Sequence, residues 1–162
     1  MLKNDILEIL ENNSRIKIND VATMLGKSEE EVNVAIAELE ADNVICGYST
    51  LINWDKADKQ YVSAMVEVKV TPQREQGFEK IAERIYKFDE VKAVYLMSGG
   101  FDLLVMVDGK DIKEIAYFIS SKLSPIDAIL STSTHFVLKK YKDHGVIVEK
   151  NKKDDERMIV SP

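Results

Sequence analysis

The chain has 162 residues, 45% of them hydrophobic and 31% charged, and a net charge of −6. Those fractions describe an ordinary globular protein, long enough for one domain or two small ones. No apolar run approaches the roughly 18 residues of a membrane span. Lys3, Asn4 and Asp5 come too early for a secretory signal. The single cysteine, Cys46, can form neither an internal disulfide nor a multi-cysteine zinc site. A cytoplasmic protein without membrane contact or cofactor is expected.

The charge is unevenly placed. Residues 1–53 hold four basic side chains, Lys3, Arg15, Lys17 and Lys27, against ten acidic ones, a net of −6. Residues 54–162 hold eighteen of each sign and balance.

Leu2, Ile6, Leu7 and Leu10 recur at helical spacing, so a first helix is predicted to about Glu11. Asn19 reads as the N-cap of a second helix through Val21, Ala22 and Leu25, ended by Gly26. Ser28 with Glu31 three residues later is a capping box and starts a third helix, whose apolar face is Val32, Ala35, Ile36 and Leu39. Two helices joined by a short glycine-containing turn have helix-turn-helix spacing. Val44 to Ile52 then reads as a β ribbon, a wing, with Gly47 near its turn. The third helix holds no basic residue, so shape argues for nucleic-acid binding and charge argues against it.

Residues 54–60 read as a linker. From Val62 to Val70 valines and an alanine alternate with Ser63, Met65, Glu67 and Lys69, the pattern of a half-buried strand. Phe78, Ile81, Ala82 and Ile85 form a helical stripe. Two strands follow, Val91–Ser98 and Leu103–Val107, separated by Gly99-Gly100-Phe101-Asp102. A second stripe runs from Ile112 to Leu123 and stops near Pro125, and Ile129–Lys140 is the last strand. This βαββαβ order is the ferredoxin-like arrangement, an α+β fold with helices on one sheet face. The open face calls for a second copy, so a homodimer is expected. The division is thus a winged helix-turn-helix over 1–53, a linker over 54–60, a ferredoxin-like domain over 61–142 and an arm over 143–162. In the arm, Gly145–Val148 and Arg157–Val160 are β-like runs around the charged stretch Glu149–Glu156. The apolar runs favour a docking arm over a frayed end.

Chemistry-bearing residues are few. His135 and His144 stand apart from any metal-ligand or catalytic spacing, and there is no P-loop or full dinucleotide glycine pattern. An enzyme is not expected. Gly99 and Gly100 would let backbone amides approach a small anionic or zwitterionic ligand, and Asp102 would accept from an ammonium group. Taken alone, a β-turn whose Asp caps its own backbone is the simpler account. Ser131, Thr132, Ser133 and Thr134 place hydroxyls on a strand.

Taken together, the run Ile18–Ser28, the segment Leu39–Ile45, the run Ser98–Val107 and the strand Ser131–Leu138 resemble the leucine-responsive and asparagine-responsive regulator family, Lrp/AsnC. The resemblance covers about residues 2–142. It implies a DNA-binding N-terminal unit, a ligand-sensing C-terminal unit, pairing through the sheets and assembly of dimers into octamers. It also implies an amino acid or related metabolite bound near Gly99, Gly100 and Asp102 and the strand carrying Thr132 and Thr134. The third helix departs from the family in having Asn33, Val34, Ala35, Ala37 and Glu38 where Arg or Lys are usual. Asn43 replaces the usual glycine before Val44-Ile45, and asparagine tolerates left-handed geometry.

The leading expectation is a metabolite-responsive transcriptional regulator contacting double-stranded DNA through Arg15, Lys17, Lys27, Ser28 and Asn33. The alternative is a sensing or interaction module whose acidic helix-turn-helix meets no DNA. A third class, an enzyme like the few relatives of this fold that decarboxylate haem precursors, would need a His/Arg-rich cleft that the two scattered histidines do not suggest.

Overall fold

Helices α1 (Leu2–Asn12), α2 (Ile18–Leu25) and α3 (Glu29–Ala41) build the first unit, residues 1–51, of a computed structural model that describes residues 1–71 and 77–148. Its core is the set of apolar positions that recur on one side of each helix: Ile6 from α1, Val21 and Ala22 from α2, and Val32, Ala35, Ile36 and Leu39 from α3. Gly26 ends α2 in the left-handed region at φ 62°, where a side chain is disfavoured. Ser28 Oγ accepts the Glu31 amide and Glu31 accepts the Ser28 amide, so the predicted capping box forms. Asn43 is left-handed at φ 54°, the geometry that the usual glycine would supply.

Two local expectations are corrected here. α2 begins at Ile18 with Lys17 as its N-cap, and Asn19 instead donates from Nδ2 to Glu29 Oε1 at 3.1 Å, tying α2 to α3. Val44–Ile52 forms no strand pair. Only Ile45 of that segment packs on the core, while Val44, Tyr48, Leu51 and Ile52 are exposed. A two-stranded ribbon with no apolar face to bury is marginal in water, so extended backbone replaces the ladder.

The second unit starts at Ile52. It contains β1 (Val62–Val70), α4 (Phe78–Tyr86), β2 (Val91–Leu96), β3 (Leu103–Gly109), α5 (Ile112–Phe118) with a wider final turn over Ile119–Leu123, and β4 (Ile129–Phe136). The strands pair antiparallel in the order β2-β3-β1-β4, which realises the ferredoxin-like expectation. β4 ends four residues before the predicted Lys140, although Val137 still donates to Ser63 O.

Ala64, Val66, Val68 and Val70 of β1 and Leu103, Val105 and Val107 of β3 are buried beneath Ile81, Ile85, Ile115 and Phe118. The alternate residues face away from the helices, and among them Met65 is 38% and Tyr95 52% exposed. A short hairpin, β5 (Lys142–Asp143) with β6 (Val146–Ile147), turns through His144 at φ 43° and Gly145 at φ 80°. Two consecutive positive φ angles match strand twist in a two-residue turn. The hairpin accounts for the β-like run Gly145–Val148; Glu149–Glu156 and Arg157–Val160 lie outside the described residues.

Candidate nucleic-acid interface and effector site

The side of α3 away from the core carries Glu30, Asn33, Val34, Ala37, Glu38 and Glu40, all exposed. Lys27 and Lys3, two of the four basic side chains in the unit, are already engaged by this helix. Lys27 Nζ lies 3.2 Å from Glu31 Oε1, and Lys3 Nζ lies 2.8 Å from Glu38 Oε2. The Ser28 backbone N–H and the Lys27 ammonium together hold the Glu31 carboxyl below the usual range. Ser28 Oγ is committed to the cap.

Among the described residues, the side chains of Arg15, Lys17 and Asn33 have no hydrogen-bonded or ionic partner. Of the five residues expected at DNA, Lys27 and Ser28 directly precede α3, Ser28 as its N-cap, and Asn33 lies in the N-terminal half of that helix. Lys17 caps α2, and Arg15 lies in the turn before it. The Lys3–Glu38 and Asn19–Glu29 pairs were not legible, because each joins residues from different helices.

In the second unit, Gly99-Gly100-Phe101-Asp102 connects β2 to β3. Asp102 is tied to β1 twice: its N–H donates to Val68 O at 3.0 Å, and its Oδ2 accepts the Val70 N–H at 2.8 Å. Its O accepts from Met97 N at 2.8 Å, which closes the loop. Gly99 and Gly100 have negative φ, and a Cβ built on either meets no atom within 4 Å. Nothing among the described residues therefore requires glycine at these two positions.

Thr132 and Thr134 pair with Val68 and Val66 and share the helix side of the sheet with them. Thr132 Oγ1 lies 3.3 Å from Ser124 Oγ. The loop and Thr132 thus flank the same end of β1 from opposite sides, about 10 Å apart at two strand spacings, with Thr134 farther in. Asp102 acts within the fold as an acceptor for another strand, not as a cap for its own turn. Sequence reading missed the apolar surface at this end: Leu96 is 61% and Leu130 69% exposed, and Met97 also reaches solvent.

At the other end of β1, Asp108 accepts from Tyr61 Oη and, at 2.8 Å, from Ser63 Oγ. Trp54 stacks on Tyr61 at 5.3 Å between ring centroids, and Lys59 Nζ sits 4.6 Å from the Trp54 ring centre. Burial, reinforced by the bond to Asp108, pushes the Tyr61 phenol up to about 12. Among the described residues, no group of three or more His, Cys, Asp or Glu is placed to hold a metal ion. No described helix is long and apolar enough to cross a membrane.

Residues 63–147 match the family model for the Lrp/AsnC ligand binding domain, and residues 2–45 match that for a winged helix-turn-helix DNA-binding domain. The HTH-type transcriptional regulator YugG of Bacillus subtilis is 49% identical over 159 residues, covering 98% of this chain and 95% of that protein. The proline dehydrogenase transcriptional activator of Rhizobium radiobacter is 26% identical over 141 residues, covering 87% and 90% of the two chains. In fold, the chain resembles the transcriptional regulator NMB0573 of Neisseria meningitidis, solved as a complex with L-Met. The TM-score is 0.70 at 20% identity, over 88% of this chain and 91% of that one.

Proposed function

Since the chain belongs to the Lrp/AsnC family of transcriptional regulators, we propose that it binds operator DNA as a homo-oligomer whose occupancy is set by an amino acid held beside Gly99 and Gly100. The observation that carries the sensing half is the Gly99-Gly100 pair itself. Both residues have conformations open to any side chain and empty space where a Cβ would be. Glycines that no described neighbour demands leave room for a molecule from outside the single chain, which supports this reading. Backbone amides there take the effector carboxylate, Leu96, Met97 and Leu130 offer an apolar surface to its side chain, and the Thr132 and Thr134 hydroxyls orient it. Asp102 pins the loop through Val70 and presents its remaining oxygen to the ammonium group.

The DNA half is supported by Asn33, an exposed amide on α3 of the type that bonds adenine bidentately, with Arg15, Lys17 and Lys27 as the phosphate contacts of this reading. Self-association through the sheet face carrying Met65, Met106 and Tyr95 presents several such units at once, and avidity offsets the few contacts each makes.

Binding to the DNA upstream of the chain's own gene, measured by filter retention across salt concentrations, tests this reading. Two or three phosphate contacts per subunit give a dimer slope of log K against log salt near about −4 to −5. Retention at low salt by neither the native chain nor a Glu38→Lys variant would overturn the DNA-reading role. Calorimetry that detects no heat with any of the common amino acids would overturn amino-acid sensing.

A further inference from the structure

A groove of about 710 Å³ runs between the first turn of α1 and one side of α3. Leu2, Val34 and Ala35 give it an apolar lining, and Glu30 and Glu38 stand along it. Glu30, Val34 and Glu38 are four residues apart on α3, so this edge is about 12 Å long, or slightly more than two helical turns. Val34 is 53% exposed, whereas the other branched apolar residues of α3, Val32, Ile36 and Leu39, are buried. A branched apolar side chain here adds nothing to the core of the unit.

We propose that this groove docks a basic amphipathic helix of a partner protein, and that this partner and DNA exclude each other. Charge selects the partner. Residues 1–51 carry ten acidic side chains against four basic ones, so their field draws cationic segments inward and repels polyanions. Glu30 has no hydrogen-bond or ionic partner among the described residues. Among the described residues, Glu38 is held by Lys3 alone, in a pair with both side chains about half exposed. Such a pair contributes little, and an incoming Lys or Arg replaces Lys3 with small loss. Two turns of groove fit apolar anchors at i, i+3 or i+4, and i+7 of a docked helix.

Exclusion follows from width. The DNA major groove is about 12 Å across and a helix with its side chains is about 10–12 Å in diameter. A duplex that seats α3 leaves no room for a second helix beside it. This second half rests on the DNA-reading role proposed above; the docking half does not.

The test uses the full chain and a synthetic peptide of about 14 residues, long enough for four helical turns, with Leu at the anchor positions and Lys elsewhere. A peptide of the same composition, scrambled to abolish the apolar face, is the control. Fluorescence anisotropy gives affinity and hydrogen exchange read by mass spectrometry gives location. The patterned peptide is expected to bind about tenfold more tightly than the scrambled one, as one buried aliphatic anchor implies. Protection is expected in residues 1–4 and 28–38. Val34→Lys and Glu30→Lys each replace an exposed side chain and leave the core intact; both are expected to weaken the patterned peptide. Glu30→Lys at the same time strengthens DNA retention.

Equal binding of the two peptides, indifference to Val34→Lys, protection elsewhere, or no binding would overturn docking. So would dilution-dependent protection of residues 28–38 without peptide, which would assign the groove to a second copy. If the peptide docks as described but leaves retained DNA in place, exclusion alone is overturned. If no DNA is retained by any variant, the DNA-reading role fails and docking stands.

Discussion

The Asp102 carboxylate accepts the backbone N–H of Val70, thirty-two residues earlier in the chain, at 2.8 Å. It fastens the β2–β3 loop to the end of the central strand where Thr132 also lies. Asp102→Ala leaves that N–H without its acceptor and is expected to lower unfolding free energy by about 1–3 kcal/mol. It should weaken the effector as well, because the loop loses its anchor. Chemical denaturation beside calorimetry checks both; unchanged stability would remove the anchoring role.

Tyr61 and Ser63 share Asp108 at the opposite end of β1. The Tyr61 phenol is raised from its ordinary 10 to about 12, first by burial and then by Asp108. A raised folded pKa means that its contribution to stability is complete below pH 10 and lost as pH climbs to about 12. Titration of tyrosinate absorbance should show two of the six tyrosines lagging the rest: Tyr48, raised by burial and by Glu40, and Tyr61. Tyr61→Phe should remove the component near pH 12. A component near pH 12 that survives in Tyr61→Phe would assign it to another tyrosine.

The cap of α3 carries its own pH dependence. Glu31 is held low by the Ser28 N–H and by Lys27, so its contribution is present above the ordinary carboxylate pKa and lost as pH falls through the depressed one. Ser28→Ala removes the hydroxyl acceptor and is expected to cost about 0.5–2 kcal/mol. Thermal melts at neutral and acidic pH check this; a deficit identical at both would uncouple the cap from Glu31.

How far these features were legible depends on distance along the chain. Ser28 and Glu31 are three residues apart, and the alternation from Val62 to Val70 repeats every two, so the third helix and the central strand were plain in the sequence. Asn19 had every local mark of an N-cap, yet its amide bonds to Glu29 on the next helix. The Asp102–Val70 bond joins residues in different strands, and no periodicity carries such a pair. The expected ribbon at Val44–Ile52 rested on β-favouring side chains. Apart from Ile45, those side chains do not pack on the core, and propensity without burial did not make a strand.

Asn33 stands exposed on α3, and its amide has no partner among the described residues. If it contacts a base edge, Asn33→Ala should flatten the preference among operator sequences by about 1–3 kcal/mol at the affected position. Lys17→Ala should weaken all sequences alike and lower the dimer's salt slope by about two units, one phosphate contact being lost from each subunit. Equal losses across sequences for Asn33→Ala would make its role non-specific.

The sheet face with Met65 and Tyr95 tests self-association directly. Light scattering at micromolar concentration should give at least twice the 18.4 kDa chain mass, and Met65→Glu should lower it toward one chain by placing a charge at an apolar contact. A native chain at 18.4 kDa would overturn the pairing.

The open space at Gly99 and Gly100 separates two properties that most positions in a small domain confound. An alanine at either residue strains no φ angle and meets no described residue, and it narrows the unfolded ensemble, so it should raise stability by about 0.4–1 kcal/mol. The same methyl group stands where the effector is proposed to rest. A variant that melts higher and responds less would make this loop a dial for ligand preference that can be turned without disturbing the scaffold, a useful starting point for re-tuning what the protein senses.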